Sequence, residues 1–210
     1  MKALYQHTFL KTCLYCAGGL MALGLMPLNA APRIPEAEAP RILGPTHKFI
    51  QEAEGKLVSL DRTRFIPYSV DQLKDTPFLL VYYSASWCPP CKAFTPELLN
   101  FYTRMKEQYG DIFELLLFSF DKKEIDMLNY MKAFKMPWPA IAYKELSNIQ
   151  YLKSYQTPAI PSLILIDKNG MIGVDKFEYE GNKARSIHNE VLFERIEAIF
   201  KQYKETEKAS

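Results

Sequence analysis

The chain is poor in the residues that build disulfide frameworks and metal sites. Its 210 residues include four cysteines and three histidines. Two of the cysteines, Cys13 and Cys16, lie in an apolar N-terminal segment, which leaves Cys88 and Cys91 for the rest of the chain. A small scaffold held by several disulfides is therefore excluded. We also expect no metal site, because the histidines have no partners at ligand spacing.

An excess of charge of one sign is also missing. The formal net charge is +2, and Lys2 and Lys11 account for it, so residues 31–210 carry 24 basic and 24 acidic side chains. This balance gives no reason to expect a nucleic-acid partner. With 48% hydrophobic and 24% charged residues, a chain of this length is expected to form one folded domain with appendages.

Residues 1–30 have the pattern of an export signal. Two lysines precede an apolar run from Cys13 to Leu28, and small residues follow at 29–31. Cleavage is expected after Ala30. The run is longer than most signal cores but shorter than the roughly twenty residues that span a bilayer, so an uncleaved membrane anchor is the alternative. Either case predicts a domain outside the cytoplasm, and the bacterial character of the signal predicts the periplasm.

The spacing of Cys13 and Cys16 repeats that of Cys88 and Cys91, which on paper could make four zinc ligands. An apolar export segment is the wrong place for such ligands. Lipid attachment is discounted as well, because Thr12 rather than a small residue precedes Cys13. After cleavage the mature chain would hold only Cys88 and Cys91, so both would be available for chemistry.

The remaining chain divides by composition. Residues 31–54 are interpreted as a linker, because residues 31–45 are rich in proline, alanine and charge. Residues 55–203 carry the hydrophobic patterns of a folded domain. Residues 204–210 are expected to be a frayed tail.

Hydrophobic patterning predicts an alternation of strands and helices within the domain. Strands are predicted at 78–83, 113–120, 162–167 and 171–174, helices at about 89–109, 123–135 and 189–203, and a short β-hairpin at 57–66. A strand, helix and strand in this order form a parallel pair, whereas Asn169-Gly170 favours an antiparallel hairpin between the last two strands. The prediction is an α/β domain with a central mixed β-sheet flanked by helices.

Cys88 and Cys91 lie where the first of these strands meets the first helix. Two thiols two residues apart can form and break a disulfide with little backbone movement. Cys88, at the helix N-terminus, is the predicted nucleophile, because the helix dipole favours its thiolate. Cys91 is predicted to resolve the mixed disulfide. The alternatives are a static disulfide and half of a metal site. Trp87 offers a flat surface to a substrate, although ordinary packing explains it equally well.

Several motifs together resemble one family. They are SASWCPPCKAFTPEL at 84–98, SFD at 119–121, KMPW at 135–138 and Ile160-Pro161 before the third strand. With the predicted element order, they resemble the thioredoxin-like superfamily, in its tryparedoxin and nucleoredoxin branch, over about residues 55–203. The resemblance implies the thioredoxin fold, here with a short N-terminal β-hairpin extension.

The resemblance also implies roles for particular residues. Pro161 would be a cis-proline facing the cysteines, and with Ile160 and Trp87 it would bind substrate. Many thioredoxins carry a buried acid where this chain has Tyr82, so Cys91 needs another proton acceptor. Asp121 is one candidate. The alternatives are that Asp121 is only a solvated loop acid, and that water accepts the proton.

We therefore predict an exported thiol–disulfide oxidoreductase that acts through a Cys88–Cys91 redox disulfide, and we favour the reductase direction over the oxidase direction. The expected partners are protein disulfides and a thiol electron donor, for which a membrane thiol reductase is one candidate. No bound cofactor is expected, and the protein should be a monomer. The alternatives are a carrier for one client, in cytochrome maturation or as a peroxidase reductant, and a binding module whose thiols sense redox state.

Overall fold

A computed structural model describes residues 47–155, 159–170, 172–180 and 183–209, all within the unit Pro40–Ser210. The predicted signal at 1–30 and the first part of the predicted linker lie outside these residues. Within the part of the chain that the structure describes, no helix has the length and apolar character needed to cross a membrane.

The described chain alternates strands and helices. In chain order they are α1 His47–Ala53, β1 Leu57–Asp61, β2 Arg64–Tyr68, β3 Phe78–Ser84, α2 Pro89–Tyr109, β4 Phe113–Ser119, α3 Glu124–Phe134, β5 Ala140–Ile141, α4 Gln150–Lys153, β6 Ser162–Asp167, β7 Ile172–Asp175, β8 Phe177–Glu180, β9 Lys183–Ser186 and α5 Asn189–Ala209.

One mixed sheet organises the domain. Its strand order is β2-β1-β5-β4-β3-β6-β7, with β3 parallel to β4 and antiparallel to β6, and with β7 antiparallel to β6. The predicted mixed sheet flanked by helices is therefore confirmed. The predicted N-terminal hairpin is confirmed as β1 and β2, and it joins the sheet because β1 pairs with β5.

Strand β3 is apolar over residues 78–83 because helices cover both faces of the sheet. Leu80 and Tyr82 point into one core cluster, which contains side chains of α2 and α5. Val81 and Tyr83 point into a second cluster, which contains side chains of α1 and α4. The central position of β3 places its carboxyl end, and the cysteines that follow it, in the middle of one edge of the sheet.

Two predicted boundaries are wrong. The predicted linker at 31–54 ends earlier, because α1 lies inside it and buries Phe49 and Ala53. The proline-rich stretch before α1 dominates the composition of residues 31–54, so the apolar residues of this short helix do not stand out. The predicted frayed tail at 204–210 is helical through Ala209. Most of its residues are lysine, glutamate and alanine, which are strong helix formers, and Lys204 pairs with Glu207 at 2.9 Å.

Candidate active site

Cys88 and Cys91 are joined by a disulfide at the first turn of α2, with their Cα atoms 5.2 Å apart. Cys88 is the N-cap of the helix, and the backbone N–H of Cys91 donates to its Sγ at 3.2 Å. Pro89 suits the first helical position, where its missing N–H would have no helical partner. The helix N-terminus thus places its dipole and a free N–H against the Cys88 sulfur, which favours a thiolate in the reduced state.

The cis-proline lies beside the disulfide. The Ile160–Pro161 peptide bond is cis, and the Ile160 carbonyl oxygen lies 3.8 Å from the Cys88 Sγ. The side chain of Ile160 packs against the small buried cluster formed by Ala85, Cys88 and Cys91. Residues more than seventy positions apart in sequence therefore meet at one point, as the family resemblance predicted. The roles of Ile160 and Pro161 in binding substrate stay predictions.

Trp87 is held at the surface beside the cysteines. Its side chain is 55% exposed, and its Nε1–H donates to the Phe120 carbonyl oxygen at 3.0 Å. A groove of about 500 Å³ runs along it, lined by Ser86, Trp87, Lys122 and Asp126. The indole face is thus available to an incoming chain while the ring orientation is maintained, although its part in substrate binding stays a prediction.

Asp121 is bound to the loop before the cysteines rather than to Cys91. Its carboxylate accepts hydrogen bonds from the Ser86 N–H at 2.8 Å, the Ser86 hydroxyl at 2.6 Å and the Ser119 hydroxyl at 2.8 Å. It is 7% exposed, which does not fit a solvated loop acid. No hydrogen bond to Cys91 is found for it within the described residues. Its observed contacts indicate a positioning residue, and its role as proton acceptor stays a prediction.

Tyr82 belongs to a buried hydroxyl cluster next to Cys91, formed by Tyr82, Ser84, Thr95 and Tyr130. The Tyr82 and Thr95 hydroxyls donate to the Cys91 carbonyl oxygen at 3.3 and 2.8 Å. Tyr130 lies 2.7 Å from the Thr95 hydroxyl and 2.9 Å from the Ser84 hydroxyl. Burial raises the pKa of Tyr82 far above its ordinary value, so its hydroxyl stays neutral. The cluster therefore holds the Cys91 backbone carbonyl, and the neutral Tyr82 hydroxyl serves there as a hydrogen-bond donor.

The sequence prediction missed three members of this cluster. Thr95 follows Cys91 by four residues, so helical spacing alone could have placed it on the same face of α2. Ser84 follows Tyr82 by two residues on β3, so strand alternation could have placed both on one face of the sheet. Tyr130 carries no such signal, because its approach depends on how α3 packs on the sheet. No group of three or more histidine, cysteine, aspartate or glutamate side chains arranged to hold a metal ion occurs among the residues that the structure describes.

Asp121→Asn is expected to lower the free energy of unfolding by about 1–3 kcal/mol, because an amide replaces a buried carboxylate that accepts three hydrogen bonds. Since these bonds position the loop, we expect the pH dependence of the Cys91 exchange rate to stay unchanged. Urea unfolding and stopped-flow thiol exchange across pH measure the two effects. Asp75→Asn, at an exposed position, is the control for loss of charge. A pH profile altered only in Asp121→Asn would instead identify Asp121 as the proton acceptor.

A cysteine pair at the start of a helix, facing a cis-proline at the edge of a mixed sheet, defines a thioredoxin-fold protein with a redox disulfide. Comparison with known proteins agrees. Residues 77–172 match the family model described as Thioredoxin-like. The chain belongs to the thioredoxin-like superfamily, in its tryparedoxin and nucleoredoxin branch.

Relatives in this branch match part of the chain. Tryparedoxin of Trypanosoma brucei brucei is 41% identical over 98 residues, which cover 45% of this chain and 65% of that protein. Human nucleoredoxin is 37% identical over 93 residues, which cover 44% of this chain and 21% of that protein. The chain thus spans less than two thirds of the length of these curated relatives.

Solved tryparedoxin structures share the fold. Native tryparedoxin I from Crithidia fasciculata matches with a TM-score of 0.50 and 30% identity, covering 60% of this chain and 85% of that one. Tryparedoxin II complexed with glutathionylspermidine matches with a TM-score of 0.51 and 27% identity, covering 61% of this chain and 87% of that one.

Proposed function

We propose that this protein is a thiol–disulfide oxidoreductase that reduces disulfides in other proteins. The observation that carries the proposal is the Cys88–Cys91 disulfide at the start of α2, next to cis-Pro161. Its place at a helix N-terminus favours the thiolate of Cys88, and the thiolate is the form that attacks a disulfide. Membership of the tryparedoxin and nucleoredoxin branch supports the same activity.

The proposed cycle conserves electrons and atoms. In the reduced protein the Cys88 thiolate attacks one sulfur of a substrate disulfide, which releases the other sulfur as a thiolate and forms a mixed disulfide. The Cys91 thiol then loses its proton, and its thiolate attacks the Cys88 sulfur. The substrate leaves with both sulfurs reduced. Because the substrate has gained two electrons, Cys88 and Cys91 are now oxidised and joined as a disulfide. A thiol electron donor restores the dithiol.

The direction of this cycle is tested by the reduction potential of the Cys88–Cys91 couple. A reductase requires a potential well below that of strong oxidants, so we expect a value closer to about −270 mV than to about −120 mV. Equilibration with thiol buffers of known potential gives the value. A result near the oxidant end would contradict the reductase direction while leaving disulfide exchange in place. Failure of the wild-type protein to reduce insulin would favour a redox-sensing binding module.

We also propose that the domain works outside the cytoplasm. The support is the segment at 1–30, where Lys2 and Lys11 lead into an apolar run that ends in small residues. In an oxidising compartment the dithiol needs a dedicated supply of electrons, for which a membrane thiol reductase is a candidate. The intact mass of the protein recovered from a bacterial periplasm tests this, because cleavage after Ala30 removes a fixed mass. Recovery only from the cytoplasm would contradict export.

A further inference from the structure

Strands β8 and β9 form a two-stranded ribbon that does not pair with the main sheet within the described residues. The ribbon follows the part of the chain that matches the family model, which ends at residue 172. Its position in the fold is nevertheless close to the cysteines. Strand β6 begins directly after Pro161, and β7 runs back along it, so β7 ends at the edge of the sheet where β6 begins. The ribbon therefore starts at the active-site edge.

The root of the ribbon is firmly attached. The Lys176 N–H donates to the Leu163 carbonyl at 3.1 Å, and the Ile187 N–H donates to the Lys176 carbonyl at 3.0 Å, so both ends meet at one place. The Lys176 side chain is only 5% exposed. Its Nζ donates to the Asn189 Oδ1 at 2.7 Å and lies 4.9 Å from the centre of the Phe94 ring in α2. A buried cation held in this way limits the movement of the ribbon relative to α2.

The two faces of the ribbon differ in chemistry. Residues directly opposite in an antiparallel pair share a face, and residues two apart do so as well. Glu178 opposes Arg185 and Glu180 opposes Lys183, so one face is charged. That face is turned toward α5, because the Glu178 carboxylate lies 2.7 Å from the Arg195 guanidinium of α5 in a half-exposed ion pair.

The opposite face carries the less polar side chains of the ribbon: Phe177, Tyr179, Ala184 and Ser186. Tyr179 is 56% exposed, slightly more than Trp87. A ribbon normally buries its apolar face, because two strands alone are marginally stable in water. Here the charged face carries the ion pair to α5, whereas Tyr179 on the opposite face is exposed. The ribbon that carries Tyr179 starts at the edge of the sheet where the redox disulfide lies. The exposed aromatic rings of Trp87 and Tyr179 are the type of side chain that anchors protein interfaces.

We propose that the face containing Tyr179 binds the polypeptide of a client protein while the client's disulfide reacts at Cys88. The inference rests on the proposed function and adds the surface on which the client polypeptide binds. From Lys176 to Glu180 the extended chain covers about 13 Å. A compact small disulfide attached to Cys88 would not extend along that length. A polypeptide can reach both Cys88 and the ribbon. The surface should therefore favour protein disulfides over small ones.

Tyr179→Ser separates these substrate classes. Pre-reduced protein, freed of reductant, is mixed in single turnover with insulin or with the small aromatic disulfide dithionitrobenzoate. We expect the second-order rate constant for insulin to fall about three- to tenfold in this variant, with the rate for the small disulfide unchanged. The matched control is Glu180→Gln on the charged face of the same strand, which should leave both rates at the wild-type value.

Any other result contradicts the proposal that the face containing Tyr179 binds the client. Equal insulin rates for Tyr179→Ser and wild type would show that the ring does not contact the client. An equal loss on both substrates would show that the substitution acts through the cysteines. A wild-type protein that reduces the small disulfide but not insulin would overturn the ribbon proposal and leave thiol exchange intact. A wild-type protein that reduces neither would overturn the proposed function itself.

Discussion

Replacing Cys88 by serine is expected to abolish insulin reduction, with a loss of at least about a thousandfold in turnover. Cys88 provides the sulfur at the helix N-terminus, where the Cys91 N–H approaches it at 3.2 Å. A serine hydroxyl keeps its proton at neutral pH and cannot form a disulfide with the substrate. Insulin reduction with dithiothreitol as electron source, corrected for the reaction of dithiothreitol alone, measures the loss.

The fold of Cys88→Ser should survive, because the serine hydroxyl can also cap α2. Circular dichroism and thermal unfolding of the variant against reduced wild type check this. Wild-type protein with both thiols alkylated gives the matched baseline. Residual turnover well above that baseline would mean that Cys91, which is 0% exposed, attacks substrates directly. The assignment of the nucleophile would then be wrong.

Cys91→Ala is expected to stop the cycle at the mixed disulfide. Without the second sulfur, the bond between Cys88 and the substrate is not attacked from within the protein. Multiple turnover should fall by at least about a thousandfold, whereas the first attack by Cys88 continues. Mass spectrometry under non-reducing conditions should find the variant covalently joined to a disulfide-bonded test peptide in near-stoichiometric yield.

The surroundings of Cys91 make this variant a clean test. The Tyr82 and Thr95 hydroxyls contact the Cys91 carbonyl oxygen rather than its sulfur, so alanine keeps both hydrogen bonds. The double variant Cys88→Ser with Cys91→Ala is the control and should form no adduct. If the mixed disulfide of Cys91→Ala broke down as fast as wild-type protein turns over, another thiol would be the resolving group.

Local sequence predicted the chemistry of the cysteine pair because its causes lie within a few residues. Cys88 precedes Pro89 at the start of an apolar helix pattern, so the cap, the helix N-terminus and the thiol spacing are all readable from neighbours. Residues 78–83 are apolar at every position, so both faces of a strand there would be apolar, and this pattern similarly predicts the central strand. The proximity of Ile160 to Cys88 came from family resemblance, since no local rule brings these residues together.

Errors and omissions occurred where distant packing decides. Composition predicts a linker where α1 lies, because the apolar face of this helix becomes recognisable only when it packs in the second core cluster. Tyr130 went unnoticed because its hydroxyl meets Thr95 only after α3 packs on the sheet. The strand-end position of Asp121 makes it one candidate for the proton acceptor, and only the structure shows that its carboxylate contacts Ser86 and Ser119.

By itself, the sequence determined that this is an α/β domain with one redox-type cysteine pair at the start of a helix. The spacing of apolar residues and the helix and strand propensities act over a few residues, so they can be predicted from the sequence. The tertiary structure alone decided what surrounds the pair: the hydroxyl cluster at Cys91, the contacts of Asp121 and the ribbon carrying Tyr179. The reason is that burial and strand pairing are set by residues far apart in sequence, and the surroundings of the sulfurs exist only once the sheet has formed.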